Sequence, residues 1–251
     1  MQNLPLPMIP VQYIFYLRKL WVNCFGIKTM KSEIFLYHKG VAHKGSNEIG
    51  SMLLKNIETN IPSNVKNLYF FSDGTCGQNW NHTMIRFCLA LADTGHFEQI
   101  FHYFLVQGHS YLPNYQDFGT NKRMICKNDR IYTPDEYEEL CAQSSNSFHV
   151  TKLLSTDVKD VDGWSKEYHT KNPLAREVPN EANFKFAPTR YSELCYNSKE
   201  KGVIAAYTSI DGLQKHSCQL LEPASWNIDI DFPSSIAAYP SRKVPINIKK
   251  M

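Results

Sequence analysis

The chain has 251 residues, of which 43% are hydrophobic and 20% are charged, and its formal net charge is +3. This composition excludes an intrinsically disordered protein and is typical of one globular domain, or of one domain with a small addition. Because the net charge is so small, binding to nucleic acid would require a local basic patch.

Seven cysteines are scattered along the chain without a C-x-x-C pair. This pattern argues against a zinc ribbon and against a small disulfide-stabilised scaffold. The odd number of cysteines, together with the lack of a secretory segment or a membrane-spanning run, predicts an intracellular protein with no membrane partner. We expect a nuclear location if the protein binds DNA and a cytoplasmic one otherwise.

The first sixty residues predict helices on either side of a hairpin. Three early prolines impose an extended start on the chain. Apolar spacing and β-rich composition then predict a helix (11–21), a hairpin (21–27 and 33–38) and an amphipathic helix that begins at Ser46 or Asn47.

The central part of the chain predicts alternating strands and helices, as in a mixed α/β sheet flanked by helices. The predicted elements are a buried strand (68–71), a buried helix (81–93), a second apolar strand (99–106), a basic helical segment (122–127) and a helix (134–142) that begins with a capping box at Thr133.

The remainder is polar up to about residue 180, and β-like runs at 183–186, 202–208 and 216–221 then predict a small antiparallel meander. We therefore predict an α/β core (1–130), a helical decoration and linker (131–180), and a small antiparallel β region with a basic tail (181–251).

Two carboxylates are candidate catalytic residues and metal ligands. Asp73 directly follows the strand at 68–71, where open α/β sheets place their chemistry, and Asp117 lies in a basic neighbourhood. Both could bind Mg²⁺ or Mn²⁺, which prefer oxygen ligands. However, Asp73-Gly74 is also a common turn pair, and Asp117 is equally explained as an acid at a helix N-terminus.

A histidine and two groups of polar residues complete the candidates. His109 follows the strand at 99–106 and could orient a metal-bound water, with a structural role as the alternative. The candidate nucleic-acid ligands are Gln78, Asn79 and Asn81 on the loop after Asp73, and the basic residues Lys122, Arg123, Lys127 and Arg130. Turn formation and capping explain the amides as well, and a solvated helix face explains the basic residues.

Several common motifs are absent from the sequence. It contains no glycine-rich phosphate loop, no dinucleotide-binding fingerprint, no nucleophile elbow and no H-E-x-x-H zinc motif. Neither a nucleotide cofactor nor zinc-peptidase chemistry is therefore predicted.

Six segments together resemble one family: QNLPLP (2–7), FYLRKLWV (15–22), FSDGTCGQNWN (71–81), DTGHF (93–97), QGHSYLPNYQDFG (107–119) and DRIYTP (129–134). They are similar to the uncharacterised transposon-derived proteins that carry a ribonuclease H-like, transposase-type domain, the DUF7869-type group. The resemblance extends from about Gln2 to Ser144 and implies a ribonuclease H-like fold.

The resemblance also implies roles and losses at the site. It makes Asp73 the second metal-binding carboxylate, and it makes His109 the start of the segment that carries the third. Relatives read Asp-Phe-Gln-Gln-Asn-Leu-Pro-Leu-Pro where this chain begins at Gln2, so the first strand and its acid are expected to be missing. Tyr115 stands where the third acid is expected, which leaves Asp117 as the nearest carboxylate.

These departures predict a transposase-derived, ribonuclease H-like protein that has lost catalysis and retains nucleic-acid binding, because a two-metal site needs several carboxylates. One alternative is an active Mg²⁺-dependent DNA nuclease or strand-transferase that uses Asp73 and Asp117. Another is a non-enzymatic module that binds nucleic acid or protein.

Overall fold

The computed structural model describes residues 1–105, 111–175, 186–221, 236–242 and 244. The chain divides into two compact units, and each is built from separate stretches of sequence. Unit 1 comprises residues 1–43, 111–158 and 237–251, and unit 2 comprises residues 44–110 and 159–236.

The strands, numbered in chain order, are β1 (Gln2–Leu6), β2 (Leu20–Lys28), β3 (Ser32–His38), β4 (Asn67–Asp73), β5 (Gln99–Leu105), β6 (Phe148–Lys152), β7 (His169–Ala175), β8 (Glu193–Asn197), β9 (Val203–Tyr207) and β10 (Lys215–Leu221).

The α-helices are α1 (Gln12–Phe15), α2 (Ser46–Asn60), α3 (His82–Asp93), α4 (Pro113–Cys126), α5 (Pro134–Gln143) and α6 (Val161–Tyr168), and short 3₁₀ turns occupy Ser155–Asp157 and Pro188–Arg190. No helix in the described ranges is both long and apolar enough to cross a bilayer.

Unit 1 is a four-stranded mixed sheet in the order β1-β2-β3-β6. The first three strands form an antiparallel meander, and β6 joins β3 in parallel. Helices α4 and α5 pack against this sheet. The buried core between them contains Val22, Cys24 and Ile34 from the strands, Ile125 from α4, and Tyr137 from α5.

Unit 2 is a six-stranded mixed sheet in the order β4-β5-β8-β9-β10-β7. β4 and β5 are parallel and are connected through α3, whereas β8, β9 and β10 continue the sheet as an antiparallel meander. Helix α3 packs on β5 and β8. Its side chains from Met84 to Ala92 are buried, as its nearly continuous apolar sequence predicts.

The mixed α/β class is confirmed, but the described strands form two sheets where one mixed sheet was predicted. Among the described strands, β4 pairs only with β5, and β3 takes β6 as its second partner. The polar stretch after residue 142 therefore supplies β6, a strand that the sequence pattern did not predict. The C-terminal strands are not a separate appendage, because β8 pairs directly with β5.

The predicted helix over 11–21 is wrong beyond its first turn. Helix α1 ends at Phe15, and β2 already begins at Leu20. The reason is tertiary, because Leu20 and Trp21 pair with Leu6 and Pro5 of β1. The basic segment at 122–127 is helical as predicted, although it forms only the last part of α4.

Candidate functional site

Asp73 is the last residue of β4, at the carboxyl end of the parallel β4–β5 pair. Its Oδ1 atom accepts a hydrogen bond of 2.7 Å from Nδ2 of Asn79. Since an amide is neutral, this bond orients the carboxylate without compensating its charge. The predicted position of Asp73 at a strand end is thus confirmed, and Asn79 is its nearest described polar partner.

The loop after Asp73 is held by a compact set of contacts. The carbonyl oxygen of Thr75 accepts hydrogen bonds from the backbone N–H groups of residues 78, 79 and 80. The Trp80 ring stacks on Phe104 at 5.2 Å between centroids, and its Nε1 donates to the carbonyl of Tyr191 at 3.2 Å. A Cβ atom on Gly74 would lie 3.0 Å from the Trp80 ring, so this glycine permits the close approach.

Asn81 is the N-cap of α3 and is fully engaged in the protein. Its Oδ1 accepts from the Met84 N–H at 3.1 Å and from the Ser46 hydroxyl at 3.1 Å, and its Nδ2 donates to the Cys76 carbonyl at 3.0 Å. These contacts agree with the capping alternative for this amide. Gln78 lies on the same loop and is half-exposed.

His102 lies one strand away from the loop, on the opposite face of the sheet from Asp73. Its Nε2 is 2.8 Å from the Ser72 hydroxyl, and burial lowers its pKa to about 3, so the ring is neutral at physiological pH. Within the described chain, its Nδ1 has no hydrogen-bond partner. Sequence reasoning passed over His102 because it lies inside an apolar run, and selected His109, which is outside the described residues.

Asp117 is held by a charged partner. It lies in the second turn of α4, which begins at Pro113, so the helix-dipole explanation for this acid is weakened. Its Oδ1 is 3.3 Å from Nζ of Lys28, and its Oδ2 accepts from the Ser32 hydroxyl at 2.9 Å. Lys28 also contacts the Ser32 hydroxyl at 2.5 Å. This triad fastens α4 to the β2–β3 hairpin.

The two predicted metal ligands thus differ in the unit that carries them and in their hydrogen-bond partners. Asp73 belongs to unit 2 and Asp117 to unit 1, and each is bonded within its own unit. The described residues contain no group of three or more His, Cys, Asp or Glu side chains placed to bind a metal ion. One carboxylate with a neighbouring amide does not fit the several-carboxylate donor set of a two-metal centre.

The predicted basic residues lie together on the surface of unit 1. Lys122, Arg123, Lys127 and Arg130 are all exposed, on the last turns of α4 and just beyond it. Arg123 donates to the Thr120 hydroxyl at 3.0 Å. The other three form no ion pair with any described residue. We call these four residues the α4 basic cluster.

Comparison with known proteins places the chain in a family. Residues 19–202, more than half of the chain, match the family model described as a domain of unknown function, DUF7869. The protein belongs to the DUF7869 family. No curated protein and no solved structure shows significant similarity to the chain. The DUF7869 match extends well past Ser144 and includes β8.

Proposed function

We propose that this DUF7869 protein is a transposase-derived, ribonuclease H-like protein that binds nucleic acid and does not cleave it. The order of elements along the chain supports the fold: an antiparallel meander, a helix, and then two parallel strands joined by a helix, with Asp73 ending the fourth strand. The structure departs from the expectation in two ways, since a first strand, β1, is present where its loss was expected, and the meander and the parallel pair belong to separate sheets. The sequence motifs of the transposon-derived group support the ancestry.

The observation that carries nucleic-acid binding is the α4 basic cluster. Its side chains are exposed, and three of the four have no acidic partner among the described residues. Unpaired cations can neutralise phosphates and release their counterions, which makes binding strongly dependent on salt. The compensated charge of Asp117 and the single carboxylate of the Asp73 loop argue against metal-dependent cleavage.

The test is a salt titration of binding to a labelled DNA duplex. We expect the logarithm of the affinity to fall linearly with the logarithm of salt concentration, with a slope of about −0.9 for each phosphate neutralised. Replacing Lys122, Lys127 and Arg130 by Gln should make this slope shallower by roughly 2 to 3. The matched control replaces the exposed Lys31, Lys39 and Lys55, which removes the same charge elsewhere.

Equal losses in the two triple variants would mean that only net charge matters and would contradict a role for the α4 basic cluster. Absence of any salt-dependent binding by the wild-type protein would reject nucleic-acid binding itself.

A second candidate function is Mg²⁺- or Mn²⁺-dependent DNA cleavage. Its specific support is Asp73, whose described partner is a neutral amide at the carboxyl end of a parallel strand. Under our proposal, purified protein does not cut DNA in either metal. Cleavage that disappears in both Asp73→Asn and Asp117→Asn would establish the enzyme in its place.

A further inference from the structure

The sheet of unit 2 buries one face and leaves the other accessible. Along β5, Ile100, His102 and Phe104 are buried, whereas Phe101 and Tyr103 between them are half-buried. Helix α3 covers the first face, where its Cys88 contacts Tyr196, the partner of Ile100 in the strand pairing. We call the second face, which carries Phe101 and Tyr103, the open face.

Four aromatic rings form two stacked pairs on the open face. Tyr69 lies against Phe101 with ring centroids 4.9 Å apart and planes 10° from parallel, and Phe71 lies against Tyr103 at 5.1 Å and 17°. Tyr69 and Phe71 on β4 are 56% and 57% exposed. Exposed apolar surface of this kind usually marks a binding site.

The strand register places a row of amides beside these aromatic pairs. Pairing between neighbouring strands aligns Asn67 with Gln99 and Gln99 with Asn197, and Gln219 pairs with Val203 on the same face. Two of these amides also bond within the protein: Asn197 Oδ1 accepts from the Lys199 N–H at 3.0 Å, and Gln219 Nε2 donates to the Leu221 carbonyl at 3.3 Å. Amide side chains offer both donors and acceptors, which is the chemistry that recognises the edge of a nucleobase.

Small residues next to Phe101 leave a concavity of about 210 Å³ on the same face. Its floor includes Cys195 and Ala205, and Gln99, Phe101 and Asn197 stand beside it together with Tyr207, Glu200 and the exposed Lys215. A flat ring could therefore sit against Phe101 with amide groups at its edge and an ammonium group nearby.

Three carboxylates lie on or beside this face: Asp73 follows Phe71 in the strand alternation, Glu200 stands exposed beside the concavity, and Glu193 is directed inward. Glu193 is only 8% exposed, and it accepts hydrogen bonds from the Asp211 N–H at 3.0 Å and from the Cys195 thiol at 3.5 Å. Its charge is thus partly satisfied within the protein. The exposed cations Lys199 and Lys215 remain at the two ends of the antiparallel part of the sheet.

We propose that the open face binds single-stranded nucleic acid, with unpaired bases stacked on the Tyr69–Phe101 and Phe71–Tyr103 pairs. The two pairs follow each other two residues along the strands, about 7 Å apart, a spacing that matches successive bases of an extended strand. A duplex hides its base faces and cannot use this platform. This inference rests on the proposed function. It adds a preference for single-stranded over double-stranded nucleic acid and a second binding site.

The test compares a fluorescently labelled oligothymidylate with a blunt duplex of the same length. Replacing Tyr69 and Phe71 by Ala should lower single-strand affinity at least about tenfold, because the variant loses two rings and stacking of a base on each is worth roughly fivefold or more. Duplex affinity should not change. Tyr132→Ala removes a comparably exposed ring from unit 1 and is the matched control, and Tyr69→Phe should retain affinity because it keeps the ring face.

Photo-cross-linking of the wild-type protein gives a readout that does not depend on any variant. An oligonucleotide carrying 5-iododeoxyuridine should cross-link to Tyr69, Phe71, Phe101 or Tyr103. Cross-links confined to residues outside the six-stranded sheet would overturn the inference, and so would unchanged single-strand affinity in a folded Tyr69→Ala/Phe71→Ala variant.

The outcomes separate this inference from the proposed function. Binding of duplex but not of oligothymidylate by the wild-type protein rejects the open face alone, whereas binding of neither rejects both. The open face could instead form a contact between two copies of the chain. In that case the wild type self-associates, the double variant is monomeric, and its single-strand affinity is unchanged, and this result would overturn the inference.

Discussion

The two compact units differ in how they hold some of their buried ionisable groups. In unit 1, partly buried carboxylates contact a basic side chain, as Asp117 does with Lys28 and Glu33 with Nδ1 of His149, the latter at 2.5 Å. In unit 2, two buried histidines are neutral instead. Burial lowers the pKa of His102 to about 3 and that of His169 to about 4.

The contrast bears on which of the two predicted carboxylates could bind a metal ion. A carboxylate that already faces an ammonium group has its charge compensated, and it must give up a structural contact to bind a cation. Within the described chain, Asp73 contacts a neutral amide and forms no ion pair. Asp73 is thus better placed than Asp117 to accept a cation, although it lacks further carboxylates beside it.

The largest effect expected from this contrast is on acid stability. The unfolded chain protonates His102 near pH 6.5, whereas the folded protein resists protonation down to about pH 3. Stability is therefore fully present above pH 6.5 and is lost as the pH falls, by about 3 kcal/mol at pH 4 for this residue. The His102→Gln variant should be less stable than the wild type at pH 7. Its free energy of unfolding should fall less than that of the wild type when the pH is lowered.

Urea denaturation between pH 7 and pH 4 measures this difference. Asp93 acts in the opposite direction, because burial raises its pKa to about 6 and its protonation stabilises the folded state as the pH falls. The readout is the slope of the free energy of unfolding against pH in the wild type minus the same slope in the variant. Identical slopes would contradict a buried neutral His102.

The next effect concerns the charged triad of unit 1. Asp117→Ala should lower the free energy of unfolding by about 1 to 3 kcal/mol, because it removes a charge-assisted bond and leaves Ser32 and Lys28 without their acceptor. Asp129→Ala, at an exposed acid just after α4, is the control and should change stability by less than about 0.5 kcal/mol. Equal effects in thermal or urea denaturation would mean that the triad does not stabilise the protein.

A third prediction asks whether the Asp73 loop can be turned into a metal site. Asn79→Asp would place a second carboxylate within hydrogen-bond reach of Asp73. When a chelator removes metal ions, repulsion between the two carboxylates should lower the free energy of unfolding by about 1 kcal/mol. Adding Mn²⁺ should restore that loss. Asn67→Asp at the other end of β4 is the control. If Mn²⁺ raises the melting temperature of both variants equally, the loop geometry does not favour a cation.

The smallest effect is expected for Asp73 itself. Asp73→Asn keeps an oxygen that can accept from Asn79, so the free energy of unfolding should change by less than about 1 kcal/mol. Guanidinium denaturation of the variant measures this value. A loss above about 2 kcal/mol would indicate that the carboxylate is retained for the turn rather than for a ligand.

Local signals in the sequence predict several elements well. Thr133 caps α5 as predicted, by accepting from the Glu136 N–H at 3.2 Å. The reciprocal bond of a capping box is displaced by one residue, because Glu136 accepts from the Tyr132 N–H at 2.8 Å and not from that of Thr133. The helix start at Asn81 is confirmed by its cap. The hydrogen bond from Asn79 to Asp73 is also local, since the two residues are only six positions apart.

Features that depend on distant partners were not predicted. The polar run that forms β6 becomes a strand only because β3 is available to pair with it. Likewise, nothing near Asp117 in the sequence indicates Lys28, which lies 89 positions away. The run at 68–71 was predicted to be fully buried, yet Tyr69 and Phe71 are exposed. An apolar sequence cannot reveal which face of its sheet a helix will cover.

The insertion of unit 2 residues between β3 and β6 has a consequence for synthesis at the ribosome. Ser32 emerges long before its partner Phe148, and in the interval the whole of α2, β4, α3 and β5 is produced. Strand β3 must therefore remain without its parallel neighbour while another sheet begins to assemble. Such long-range closure slows folding and prolongs the exposure of an unpaired edge, so translation speed and chaperone supply should govern how much of this chain reaches its native state.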